Sequence, residues 1–392
     1  MTVTSSAPSK KCTPASTPSS GNVTVPLHHR HGPCSPFLSK KAPTLEEILR
    51  GDQLRASYYI LRKFSGAGAG DAELSDAATC QPCPQCRAQA DPLFDPANSS
   101  TYAPFSCSSA ECAQLDADGN GNGCSPSSQQ CQYAVNYFDG TSTTGTYSSD
   151  TLALGSGADA TVEGFRFGCS HVASATNGRD PTDGIMGLGR GAQSLVSQTA
   201  ATFGAAFSYC LPATPSSSGF LTLGAAASSG GFATTPMLSN SDAPTFYGVL
   251  LEGITVDGKL LDLDPTVFSA GSIMDSGTVI SRLPPTAYAA LSSAFKAGMT
   301  QYPPAPPSSI LDTCFDLTGQ SNVTAVPSVA VVFSGGVAVG LDLNGVILGG
   351  CLAFAATSDD DTTGFIGNVQ QRTFEVLYDV GRGAVGFKAG AC

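Results

Sequence analysis

Short runs of alternating apolar and polar residues recur along most of the chain, and helical spacing is confined to a few stretches. The segment CQYAVNYFDGTSTTGTYSSDTLAL (131–154) alternates as two strands around a Gly-containing turn, and FYGVLLEGITVDGKLLDL (246–263) reads as a hairpin turning at Asp257-Gly258. The chain closes on a further strand pair, TFEVLYDV and GAVGFKA. Helical periodicity predicts a short helix over Ser194 to Thr202 and a longer one after Pro284-Pro285, with Tyr288, Leu291, Phe295 and Met299 on its apolar stripe. Near the start, Thr44 and Glu47 have the spacing of a capping box, opening a helix that can run to about Lys63. The pattern predicts a mostly β protein.

Composition adds a division of the chain. Residues 1–70 hold nine Lys/Arg against Glu46, Glu47 and Asp52, a balance of +6, whereas the remainder carries −18. The first 22 residues are Ser/Thr/Pro-rich, the pattern of a disordered segment, and Ser65 to Thr79 reads as a linker. A basic leader is thus joined to an acidic body, which argues against nucleic acid or an anionic membrane as partner. No apolar run reaches transmembrane length, and residues 1–25 contain no signal-type apolar core. Fourteen cysteines point to an oxidising compartment. Asn22, Asn98 and Asn322 begin candidate glycosylation sequons. Seven cysteines crowd residues 80–131. The spacing of Cys80, Cys83 and Cys86 would allow a metal site, but the Asp/Asn/Gly/Ser-rich surroundings favour a disulfide-stapled insert, with at least one member of the odd set paired outside it or unpaired.

The stretch Ala270 to Met299 carries the candidate chemistry. A strand through Ile273 and Met274 delivers Asp275 into the turn Asp275-Ser276-Gly277-Thr278. Gly277 permits a sharp turn and close approach of a ligand, and Ser276 and Thr278 supply hydroxyls that orient the carboxylate. An Asx-type turn between strand and helix is the plainer account. Two echoes lie at a distance: Asp183-Gly184-Ile185-Met186-Gly187-Leu188-Gly189 upstream, and Gly364-Phe365-Ile366-Gly367-Asn368-Val369-Gln370-Gln371-Arg372 downstream.

At these residues the chain resembles the pepsin-like aspartic peptidases, plant nepenthesin type. The resemblance implies a mostly β, bilobal fold in which each lobe carries an Asp-Thr/Ser-Gly turn threaded by an apolar-apolar-Gly strand, the two aspartates meeting in a cleft. It implies Asp275 as a catalytic residue supported by Ser276, Gly277 and Thr278, and Tyr137 as the substrate-binding tyrosine of a flap, although Phe138 stands where Gly is usual. It implies no cofactor and no metal. Residues 1–70 would be a propeptide-like leader, 71–206 the N-terminal lobe with its Cys-rich insert at 80–131, and 207–392 the C-terminal lobe, with Cys314 and Cys351 paired. The leader would be an intramolecular inhibitor, a basic segment across an acidic cleft held by ion pairs that weaken as carboxylates protonate, with His28, His29 and His31 adding to the switch. The implied setting is the secretory pathway, extracellular or vacuolar, and the implied form a monomer.

This chain departs from that pattern in one respect. It contains a single Asp-Thr/Ser-Gly: Asp118, Asp139, Asp183 and Asp257 precede Gly directly, and Asp71 and Asp76 precede Ala. The first-lobe motif and the Trp that follows it in the family are absent, and the chain has no Trp at all. The N-terminal lobe is therefore expected to be incomplete, leaving the Gly184 to Gly189 strand without a turn to thread. A dyad divides the work of base and acid between two carboxylates, so one alone can bind a cation or a water but cannot also supply the acid. The expected function is an aspartic-endopeptidase family member inactive as written. Three readings stand: an aspartic endopeptidase whose sequence is shortened by a missing exon, alternative splicing or a gene-model error; a non-catalytic relative that binds peptides, glycans or other enzymes; and a homodimer in which two copies of Asp275 meet.

Overall fold

The computed structural model describes residues 22–29, 32, 44–53, 77–80, 93–136, 142–154, 161–174, 184–214, 216–224, 230–240, 243–319, 325–372 and 374–390. Strands dominate, as the alternation predicts. A central six-stranded sheet runs in the order Val23–His28, Ser218–Leu223, Ala206–Cys210, Phe374–Asp379, Ala384–Ala389, Ala233–Pro236. Its two middle strands, Ala206–Cys210 and Phe374–Asp379, are buried at every residue, as expected for strands covered on both faces. The leader's strand Val23–His28 was not legible in the sequence, because Pro26 argues against a strand interior. It lies at the sheet edge, where a missing N–H is tolerated.

On one side of this sheet, Gly121–Cys124, Cys131–Asn136, Ser142–Ala153, Thr161–Ser174, Ala77–Thr79 and Gly184–Ile185 are joined in that order, with Ala103–Pro104 paired to Ser142–Ala153. The hairpin expected over 131–154 is present, Asn136 facing Ser142 across its mouth. Tyr137 and Phe138 lie outside the described residues. One expectation is corrected here, and the favoured reading of the cysteine cluster holds. Ala77–Thr79 is a strand rather than linker, parallel to Gly168–Ser170 and antiparallel to Gly184–Ile185, so that last strand does have a partner. The Cys80, Cys83, Cys86 trio is not a metal set: Cys80 pairs with Cys169, outside the cluster, while Cys107–Cys124 and Cys112–Cys131 staple the insert. Cys83 and Cys86 lie outside the described residues.

On the other side, the sheet Leu238–Asn240, Ala243–Val249, Ser272–Met274, Gly364–Ile366, Ser281–Leu283, Phe354–Ala356 carries the Asp275 turn. The expected long hairpin over 246–263 is split: Ala243–Val249 joins this sheet, and only Leu251–Val256 turns into Lys259–Leu260. Asp257 and Gly258 both have positive φ, the conformation of a two-residue hairpin turn. Helix Pro285–Gly298 buries Tyr288, Leu291 and Phe295 against this layer, and Met299 beyond its end is fully buried, which reproduces the predicted stripe.

Cys314 and Cys351 face one another across a small sheet and are bonded, as the resemblance implied. The bridge closes a sequence separation of 37. Replacing both cysteines with Ala is expected to cost about 2–4 kcal/mol. Urea unfolding under non-oxidising conditions measures it, and an unchanged midpoint would contradict the expectation.

Candidate functional site

Asp275 follows the buried strand Ser272–Met274, whose parallel partner is Gly364–Ile366, and its own N–H donates to the Ile366 carbonyl at 3.1 Å. Its Oδ1 accepts the Gly277 N–H at 2.8 Å, and its Oδ2 accepts the Thr278 hydroxyl at 2.5 Å. Thr278 is buried, whereas Ser276 and Gly277 are exposed. The turn thus holds the carboxylate by one backbone and one side-chain donor and leaves it 8% exposed.

The downstream echo supplies the frame. Asn368 donates from its backbone to the Thr278 carbonyl at 2.8 Å and from Nδ2 to the carbonyls of Ser276 and Thr278. Gln370 accepts the Ser281 N–H and hydroxyl on Oε1, and its Nε2 donates to Gly345 and Ala353. The Gln370 amide, buried and satisfied at both ends, makes this a stiff cradle. Gly367 passes so close to the loop that a Cβ there would lie 2.5 Å from the Ile280 carbonyl carbon. The sequence pointed to this segment as an apolar-apolar-Gly echo but gave no role to Asn368 or Gln370.

A cavity of about 300 Å³ opens at Asp275. Met274, Asp275, Ser276 and Gly277 form one wall, and Ile185 to Gly189, from the upstream echo, face them. Phe207, Tyr209, Tyr247 and Tyr378 line the rest. Phe207 and Tyr378 stack at 4.7 Å between centroids, and the Tyr209 hydroxyl, which contacts Tyr378, donates to Gln371 Oε1. Burial pushes the Tyr209 and Tyr378 phenols well above the usual tyrosine range, with the Asp275 charge adding to both, so they remain protonated donors. Ile185 and Met186 are 40% and 39% exposed on the cavity wall. Among the described residues, the cavity offers one carboxylate, hydroxyl groups and a predominantly apolar surface. Phe207, Tyr209 and Tyr378 come from the central sheet and Tyr247 from the strand Ala243–Val249; none carries a local motif, which is why sequence reading missed them.

Part of the leader, residues 22–29, 32 and 44–53, lies among the described residues. Residues 45–53 are helical, and Thr44 and Glu47 form the predicted capping box: Thr44 N–H donates to Glu47 Oε2 at 2.8 Å and Glu47 N–H to Thr44 Oγ1 at 3.2 Å. Among the described residues, none of the leader lines the cavity. Among these described residues, the charge set against the body is an acid. Arg50 is exposed, while Asp52 is buried and ion-paired with Arg282 at 2.9 Å. Burial pushes the Asp52 carboxyl up, opposed by the Arg282 charge and the Val279 N–H, with the Asp275 charge adding to the rise. A carboxyl raised on docking binds its proton more tightly docked than free. Its contribution is complete below the ordinary aspartate value and is lost as pH rises through the raised one. Acid thus favours this contact. The Tm of the protein relative to an Asp52→Asn variant is expected to rise as pH falls from 7 to about 4. A fall over that interval would show that the ionised pair dominates.

Comparison with known proteins follows the same lines. The Xylanase inhibitor N-terminal family model matches residues 78–225, and the Xylanase inhibitor C-terminal model matches residues 246–389. An aspartyl protease family protein of Arabidopsis thaliana is 39% identical, the alignment covering 100% of this chain and 92% of that protein. Aspartic proteinase nepenthesin-2 of Nepenthes gracilis is 33% identical over 80% of this chain and 71% of its own length. The chain belongs to the pepsin-like aspartic peptidases of the nepenthesin type. Among solved structures, basic 7S globulin from soybean shares this family's fold with a TM-score of 0.60 at 21% identity, covering 80% of this chain and 85% of that one. Conglutin gamma from lupine seeds does so with a TM-score of 0.63 at 17% identity, covering 81% and 85%.

The two halves of this peptidase fold share a pairing register. In the second lobe, Arg282 lies opposite Phe365 and beside Ala355. In the first, Ala77 lies opposite Ile185 and beside Gly168. Since Gly184-Ile185-Met186-Gly187 echoes Gly364-Phe365-Ile366-Gly367, Ala77 is the counterpart of Arg282. Counting back by the separation of Arg282 from Asp275 reaches Gly70, and Asp71 is its neighbour. Both lie outside the described residues.

Proposed function

We propose that this member of the aspartic peptidase family binds polypeptide in the cavity at Asp275 without hydrolysing it. The observation that supports the reading is the register: the sequence position corresponding to Asp275 in the first lobe is Gly70, followed by Asp71-Ala72 in place of a hydroxyl residue and Gly. The alignment with the Arabidopsis thaliana relative runs over 443 positions, more than the 392 residues here, so that relative holds several dozen residues with no counterpart in this chain. This agrees with an incomplete first-lobe motif.

Amide hydrolysis of this type uses one carboxylate as base for water and another as acid for the carbonyl, and removing such a group costs about 10²–10⁴ in rate. Members of a catalytic unit fail together, so the residual rate does not fall to a simple half. Binding needs less. The apolar wall of Ile185, Met186, Phe207 and Tyr378 can bury side chains of a bound peptide, while the hydroxyls beside Asp275 hydrogen-bond its backbone. The four described disulfides fit an oxidising compartment, and we place the protein in the secretory pathway on that ground.

The test is digestion of denatured globin at acidic pH by the purified chain and by an Asp275→Ala variant. Equal, background-level product from both is the expected outcome. Product that disappears with Asp275→Ala would restore the peptidase reading.

A further inference from the structure

The leader helix is built into the second lobe. Its Leu49 is fully buried in a cluster with Ile280, Leu311, Ala353 and Val369. Leu45 lies against Gly349, so close that a Cβ on that glycine would be 2.2 Å from the Leu45 Cδ2. The lobe surface is therefore shaped to this helix and not merely covered by it.

Polar contacts are more demanding still. Arg282 is 5% exposed, on a strand that runs between Gly364–Ile366 and Phe354–Ala356. Its Nη2 donates to Asp52 Oδ2 at 2.9 Å and its Nη1 to Gln53 Oε1 at 3.1 Å, both groups of the leader. Its Nε has no partner among the described residues. The other Asp52 oxygen accepts the Val279 N–H at 2.5 Å, within the loop that begins at Asp275. A buried guanidinium deprived of its carboxylate is strongly destabilising, because the remaining charge stays desolvated without compensation.

We propose that residues 44–53 are a permanent element of the second lobe, held by Leu49 and by Asp52 on Arg282 and the Val279 amide, and that they remain bound when the chain is cut after them. Asp52 is then a positioning residue: it neutralises Arg282 and fixes the loop that carries Asp275. A leader of this kind is kept as part of the mature fold and is not discarded. The idea is independent of whether the cavity hydrolyses peptides, since it concerns a surface away from the cavity lining.

The test uses the full chain with a site-specific protease sequence inserted between Gly68 and Ala69, in a Cys12→Ser, Cys34→Ser background so that no leader cysteine tethers the fragment. After cutting, exchange of the Val279 amide is expected to stay within about threefold of the uncut protein; the leader fragment is expected to co-elute with the body on gel filtration, a readout that strand Val23–His28 also supports, so the Val279 amide decides for residues 44–53. Asp52→Ala should raise that exchange by at least about 100-fold, while amides of Phe374–Asp379 stay protected as a check on folding. Combining Asp52→Leu with Arg282→Leu should retain the fragment, since an apolar pair can replace a buried ion pair. Loss of the fragment on cutting, or Val279 exchange unaffected by Asp52→Ala, would overturn the proposal. If Asp52→Ala does not fold, Asp52→Asn keeps the shape and reports the same amide.

Discussion

Installing an Asp-Ser-Gly at residues 70–72, by Gly70→Asp, Asp71→Ser and Ala72→Gly together, is expected to raise acid cleavage of globin by about 10²–10⁴. The gain should vanish when Asp275→Ala is added. The basis is a sequence count: Ala77 holds the pairing register of Arg282, and residue 70 precedes Ala77 by the same interval that separates Asp275 from Arg282. Two close carboxylates share one proton, so the pair acquires a base and an acid at the same pH, which one carboxylate cannot provide. Comparing initial rates of the triple variant with the parent measures the effect. No gain would mean that the register does not carry over to the first lobe, or that the residues absent before position 70 are needed to hold the turn.

Gly367→Ala is expected to destabilise the second lobe by about 3 kcal/mol or more. A Cβ at this position would meet the Ile280 carbonyl carbon at 2.5 Å and the Ile280 and Val279 oxygens at 2.8 Å. All three are backbone atoms of the loop leaving Asp275, and they cannot move aside as a side-chain tip could. The same loop is held on its other side by Asn368 and Gln370, so a shift would break those bonds as well. Gly340→Ala is the control, because a Cβ there meets nothing within 4 Å. Guanidinium unfolding of the two variants distinguishes them, and equal midpoints would contradict the threading argument.

Much of the architecture could be read from local pattern. The capping box at Thr44 and Glu47, the stripe of Tyr288, Leu291 and Phe295, and the positive-φ turn at Asp257-Gly258 each depend on residues within one or two turns of one another. The Asp275 turn was legible for the same reason: Gly277 and Thr278 bond to a carboxylate two and three positions earlier. Harder to see were residues whose partners are distant. Asp52 meets Arg282 across 230 positions, and Tyr209 meets Gln371 across 162. The basic balance of the leader pointed to contact by its cations; among its described residues the buried charge is Asp52.

The sequence by itself determined the class of this protein, its strand-rich pattern and the lone Asp-Ser-Gly, because each is a matter of composition, spacing or family motif. Only the tertiary structure decided that Ala77–Thr79 is a strand beside Gly184–Ile185, that an aromatic cavity faces Asp275, and that the leader helix is seated on the second lobe. Backbone pairing and burial join residues without regard to their separation along the chain. A weakly patterned segment such as Ala77–Thr79 takes its conformation from the sheet that receives it, and a charge such as Asp52 takes its role from the cation it meets there.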